Sequence, residues 1–249
     1  MIDIEGIEKT EAAIKAEQTP PLPVAPARVG VQLKSNTDAI FGNYEFQVSE
    51  KSADQIKDSM NAIADALPTK NIKLDNLPIQ ERGRRYFGAI EFDRNTGNPN
   101  RIMINKLGNH KELTFAHEIG HQIDFTIIRK EFGGLKGYRI FTGRRELTSK
   151  SRHLMDVIKK TPEAQALLTG TAVNREGLLI SPSGARYMST DHEFFARAFS
   201  QYVARKTKNK KMLEQIKTIR KIQPSDLWAD ENFDAIEKAM DDFLKAEGK

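Results

Sequence analysis

Apolar positions recur at helical spacing in the middle of the chain. Phe115, Ile119, Ile123 and Ile127 share one face, which predicts an amphipathic helix over about 110–130. Asn109 and Glu112, three residues apart, read as a capping box at its start. An earlier helix is expected with the apolar face Ile56, Met60, Ile63 and Leu67, capped by Ser52 and Gln55 and ended by Pro68. Alternation in Tyr44–Val48 predicts a strand. Arg85–Phe92 and Arg101–Asn105 predict two more, joined as a hairpin by the turn-forming stretch 93–100.

Downstream, Gly133, Gly134, Gly137 and Gly143 predict a loop over 131–145. Helices follow at about 149–160 and on to 169, then a turn at Ser181–Gly184 and three helices near 191–206, 209–222 and 230–246. Upstream, Thr19–Pro26 is proline-rich and extended, with a short helix expected at 3–17. Residues 1–42 therefore read as a tail, disordered or proline-rich, and 43–249 as one folded domain. The fold class is α+β: a small antiparallel sheet packed on a mostly helical body.

Composition narrows the chemistry. The chain has 249 residues, enough for one sizeable domain, and no cysteine, so any metal must be held by histidine and carboxylate. No apolar run approaches the ~20 residues that cross a bilayer, and the acidic start lacks a signal-peptide layout. No membrane association is expected, and the chain reads as cytoplasmic. The formal charge is +5, with a basic stretch over 205–221 that could attract an acidic partner or nucleic acid. Asp230, Glu231, Asp234, Glu237, Asp241 and Asp242 in the next helix could equally neutralise it.

The apolar stripe at 115–127 leaves another face for His117, Glu118 and His121. Residues four apart on a helix share a face, so the two imidazoles can reach one metal ion, with Glu118 beside them to take a proton from a water. This is the HExxH arrangement of zinc peptidases. The elongated form with a third histidine is absent, because Asp124 and Ile127 stand at its glycine and histidine positions. Glu193 is a candidate third ligand, on a helix with the stripe Phe195, Phe199 and Tyr202. Thr190, three residues earlier, makes it equally a capping partner, and spacing alone leaves both readings open. His192 points about 100° away from Glu193 and is a weaker candidate, while His110 and His153 read as surface or core histidines.

Taken with His117–His121, the stretch Tyr187–Phe199 resembles the gluzincin peptidases of the anthrax lethal factor type. It is closer still to the metallopeptidase domains of phage and conjugative-element polyvalent proteins, where a Tyr and then Glu-x-Phe-Ala-Arg-Ala-Phe recur. The resemblance covers two motifs within about residues 85–205. It implies a zincin-like fold, one Zn2+ per chain held by His117, His121 and Glu193, Glu118 as general base and Tyr187 as stabiliser of the oxyanion. The implied substrate is a protein or peptide lying along an edge strand formed by Arg101–Asn105, with Arg101, Met103 and Asn105 as substrate-binding residues. The implied setting is a host-cell cytoplasm or a virion. Two positions depart from the lethal factor pattern. The step from Tyr187 to Glu193 is one residue short, and Arg197 stands where an acid orients a ligand histidine. Asp124, one turn beyond His121, either takes over that role or is an exposed helix carboxylate. The rival expectation is a catalytically silent zincin-fold protein that contacts nucleic acid or a virion component through 205–221.

Overall fold

A computed structural model describes residues 40–247, apart from the short stretches 42–43, 68–71, 73, 84–86, 94–97, 133–137, 140–143 and 146–148. The expected helix at 3–17 and nearly all of the tail lie outside the described residues. Ile40 and Phe41 do not behave as tail, for both are buried in the core.

The chain lays down β1 (Phe46–Gln47), α1 (Glu50–Ala66), β2 (Ile79–Arg82), β3 (Gly88–Phe92), β4 (Pro99–Asn105) and α2 (Lys111–Phe132). A small ladder, β5 (Tyr138–Arg139) with β6 (Arg144–Arg145), follows within the stretch expected to be loop. The helices α3 (Ser149–Lys159), α4 (Pro162–Thr169), α5 (Pro182–Met188), α6 (Asp191–Lys206), α7 (Lys210–Ile222) and α8 (Asp230–Glu247) complete it. The expected turn at Ser181–Gly184 is the start of α5, where Ser181 Oγ accepts the Gly184 N–H at 3.2 Å and Pro182 opens the first turn. The class is α+β, as expected.

The sheet is mixed, not antiparallel. Its order is β1-β2-β4-β3, with β1/β2 and β2/β4 parallel and β3/β4 antiparallel. The cause is α1, a 17-residue crossover between β1 and β2 that brings the chain back in the same direction. The hairpin pairs as the turn residues predict, but β4 then slots between β3 and β2. Arg101–Asn105 is thus an interior strand, and the open edge on the hairpin side belongs to β3.

Two expected caps are also replaced by distant partners. Ser49, not Ser52, precedes α1, while Ser52 is buried and donates to Glu81. Lys111 Nζ completes that cluster at 2.7 Å from Ser52 Oγ, 2.8 Å from Glu81 and 2.9 Å from the Lys106 carbonyl. At the start of α2, Glu112 turns to Gln55 and Gln215 instead of capping. Gln215 Oε1, from α7, accepts the first-turn N–H of Leu113 at 3.0 Å.

The core lies between these layers. Ile102 and Ile104 of β4, with Ile56, Met60 and Ile63 of α1, bury one side of α2 through Phe115, Ile119 and Ile123. On the far side α6 packs along α2, and its Phe195 and Phe199 rings stack 6.4 Å apart. Among the described residues no helix is long and apolar enough to cross a membrane.

Candidate metal centre

The closest approach of α2 and α6 is set by a missing side chain. A Cβ on Gly120 would stand 2.9 Å from Ala196 Cα, and 3.3 Å from both the Ala196 carbonyl oxygen and Phe199 Cβ. Glycine thus lets two helix backbones nearly touch, at the cost of about 1 kcal/mol in helix propensity. The benefit falls on the neighbouring residues, His121 on one helix and Glu193 on the other.

There the structure brings the three expected ligands together. His117 Nε2 and His121 Nε2 are 3.1 Å apart, and the Glu193 carboxylate lies 3.5 Å from the first and 3.3 Å from the second. Metal–ligand bonds of about 2.0–2.1 Å in a tetrahedral site put ligand atoms about 3.3 Å from one another, so this spacing fits one small divalent ion. All three donor atoms fall within 4.8 Å of one another. The donor set, two imidazoles and a carboxylate with no thiolate, is one that zinc accepts.

Thr190 Oγ1 accepts the Glu193 backbone N–H at 3.4 Å, capping α6. The cap uses the main chain of Glu193 and leaves its carboxylate facing the histidines, so the capping and ligand readings of Glu193 do not compete. The electrostatics divide the trio. Burial pushes His117 down to about 3, a neutral ligand at any ordinary pH. Burial also disfavours charge on His121, but the Glu193 carboxylate, aided by Glu118 and Asp124, outweighs it and holds His121 up at about 9. Glu193 is buried too, yet the two imidazoles and the Tyr187 hydroxyl hold it far below the usual carboxylate range.

Glu118 is buried against β3. Its carboxylate accepts the Ile90 N–H, and burial pushes it up to about 7. Gly88 makes room for it: a Cβ there would meet Glu118 Oε1 at 2.6 Å. Tyr187, on α5, leaves much of its ring exposed while its hydroxyl donates to Glu193, and burial of that hydroxyl raises it well above the ordinary phenol. Base and phenol thus meet the trio from α2, on its side facing β3, and from α5 respectively.

Asp124 is fully buried rather than exposed. Its Oδ2 lies 3.4 Å from His192 Nδ1, and its charge acts on His121. His192 is accordingly turned away from the ligand trio. His110 is half-buried near Phe87 and His153 is exposed, as expected. The substrate-binding expectation for Arg101, Met103 and Asn105 fails with the interior position of β4. Arg101 is paired to Glu91 at 2.6 Å, Met103 is buried, and Asn105 Oδ1 accepts the Leu107 N–H.

One further contributor departs from the lethal factor pattern but is the arginine of the Glu-x-Phe-Ala-Arg-Ala-Phe motif. Arg197 is buried between Phe194 and Trp228, with its guanidinium 5.2 and 5.6 Å from their rings. It donates to the carbonyls of Met188, Glu193 and Ser225 and, at 2.9 Å, of Asp226. One side chain thereby fastens the end of α5, which carries Tyr187, to the turn that carries Glu193.

The basic stretch is largely paired. Arg205 meets Asp234 at 2.6 Å and Glu237 at 2.9 Å, Lys206 meets Asp241 at 2.6 Å, and Arg220 lies 3.7 Å from Asp230. Compared with known proteins, the chain matches no family model, no curated protein and no solved structure.

Proposed function

We propose that this chain is a zinc-dependent endopeptidase of the gluzincin type, and on its two motifs we place it with the peptidases of phage and mobile elements. The observation that carries the reading is the coincidence, at one point, of three donor atoms at ligand spacing with a buried carboxylate and a phenol beside them. A coordination site alone needs neither Glu118 nor Tyr187.

His117, His121 and Glu193 would hold the zinc, which would supply Lewis acidity to a water and to the scissile carbonyl. Glu118 takes the proton of the attacking water and passes it to the leaving amine, and a pKa near 7 suits a group that must both accept and return a proton. The Ile90 N–H keeps that carboxylate aimed. Tyr187 donates a hydrogen bond to the oxygen on which negative charge develops. An extended peptide finds its main-chain partners on the open edge of β3. Asn105 N–H bonds the Phe87 carbonyl at 2.8 Å, so alternation turns the backbone groups of Gly88 and the Ile90 carbonyl away from β4, the Ile90 N–H being taken by Glu118.

Elemental analysis tests the site. Wild type should carry near one zinc per chain and Glu193→Ala clearly less. Glu118→Gln should keep the zinc and lose at least ~10²-fold in peptide cleavage, the usual scale for a general base. A folded wild type that takes up no zinc after resupply, or a Glu118→Gln protein with near-normal turnover, defeats the reading.

A further inference from the structure

The basic stretch is neutralised along most of its length but not at its end. Lys217, Arg220 and Lys221 fall three and four residues apart, on one face of α7. Together they line a cleft of about 630 Å³, whose other walls come from Pro162, Glu163 and Ala166 of α4 and from Pro224 and Ser225 in the turn after α7. Lys217 reaches Glu214 at 2.7 Å, but both side chains are largely exposed, where water and salt leave such a pair little strength. Arg220 stands 3.7 Å from Asp230, whose side chain is 78% exposed. That contact is too long for a hydrogen bond, so the guanidinium keeps donors to give. Lys221 is exposed beside them.

The carboxylate in this lining is engaged elsewhere. Glu163 Oε1 accepts the Ala229 N–H at 2.8 Å and the Asn232 side-chain amide at 2.9 Å, and Oε2 is buried. Three cations against one occupied acid leave the cleft attractive to anions. Its turn is also fixed in advance. Arg197 holds the carbonyls of Ser225 at 3.3 Å and Asp226 at 2.9 Å, and the Arg175 N–H closes the end of α7 on the Ile222 carbonyl at 2.9 Å. A site already shaped loses less free energy to ordering when a ligand enters.

Size and surroundings say which anion. The volume falls within the range of about 300–1,000 Å³ of small-molecule sites, too large for a bare inorganic ion. Pro162, Ala166 and Pro224 offer apolar contact to an organic body, while the cations suit phosphate oxygens. Nucleic acid would need the positive charge to continue along the surface. It does not, because Arg205 and Lys206 are held by Asp234, Glu237 and Asp241, and Lys211 by Asp58 at 2.7 Å.

We propose that the cleft between α4 and α7 is a binding site for a small phosphate-bearing organic anion of the size of a nucleoside diphosphate. The site goes beyond the peptidase reading and does not depend on it.

The test is calorimetric titration of the full chain, free of divalent metal, with ADP, pyrophosphate, adenosine and a single-stranded oligonucleotide. Two charge-matched variants locate the binding. Arg220→Gln with Lys221→Gln removes two cations of the cleft, and Lys208→Gln with Lys210→Gln removes two exposed cations outside its lining. An unchanged Tm shows that each variant is folded. Expected is saturable ADP binding near one per chain, weakened at least ~10-fold in the first variant and little changed in the second. Pyrophosphate should bind more weakly than ADP, and adenosine should not bind. No ADP binding to wild type overturns the site, and so does an equal loss in the two variants. An oligonucleotide that binds more tightly than ADP and weakens equally in both variants assigns these cations to nucleic acid and overturns it as well.

Discussion

Gly120→Ala is the substitution that weighs packing against coordination most directly. In an ordinary helix it would add about 1 kcal/mol of stability. Here the new methyl would lie 2.9 Å from Ala196 Cα, where carbon atoms in contact prefer about 3.5–4.0 Å. The neighbour is backbone and cannot swing aside, so α2 and α6 must part locally by about 0.6–1 Å. Overpacking of this kind costs about 1–3 kcal/mol, which leaves the variant level to about 2 kcal/mol less stable. In a chain of this size that is a fall in Tm of up to about 8 °C. The metal should register more. Metal–ligand distances tolerate about ±0.2 Å, and the gap opens beside His121 and one turn from Glu193. A loss of at least tenfold in zinc affinity, about 1.4 kcal/mol, is expected. Thermal unfolding of the metal-free protein and competition against a chromophoric chelator measure the two effects separately. A higher Tm with unchanged zinc affinity would refute the helix contact and its part in spacing the ligands.

Zinc uptake should also be proton-coupled. His121 is held up at about 9 and His117 down at about 3, so between pH 6 and 9 binding must expel one proton, from His121. Affinity should therefore climb about tenfold per pH unit over that range and level off above it, releasing about one proton per zinc in calorimetry across buffers. A flat profile contradicts the assignment. Asp226 behaves in the opposite sense as a stability term. Burial pushes its carboxyl up to about 6, with Glu193 adding and Arg197 opposing, so the folded state favours the protonated form and stability falls as pH rises from about 4 through 6. Asp226→Asn should then raise Tm at pH 8, by a stabilisation on the order of 2 kcal/mol, and change little at pH 4. A lower Tm at pH 8 rejects this.

What the sequence disclosed was what local spacing controls. The faces of α1, α2 and α6 follow from one repeat, and so does the pairing of His117 with His121. The hairpin was legible from its turn. β2 was not, because Ile-Gln-Glu-Arg carries no alternating apolar signal, and its partners come from β1 and β4. Missing it made β4 an edge on paper, and the substrate residues followed that error. The caps failed for a related reason: Ser52 and Glu112 are well-spaced local partners, but Glu81, Lys111 and Gln215 offered better ones from afar. Glu193 was ambiguous because spacing cannot separate a residue's amide from its carboxylate. The role of Arg197 was not legible since its partners are carbonyls, which leave no trace in sequence.

The ligands come from two places: the histidines from one turn of α2, the carboxylate from the first turn of α6 far along the chain. An unfolded chain keeps only the local pair. A metal held there would therefore act as a cross-link between α2 and α6, in a molecule whose sequence has no cysteine to make one. At a hundredfold excess over Kd such a link contributes about 2.7 kcal/mol, comparable to a disulfide. Unlike a disulfide, it would be made and undone by the supply of the metal, so the chain's resistance to unfolding would rise and fall with the same occupancy that would set its activity.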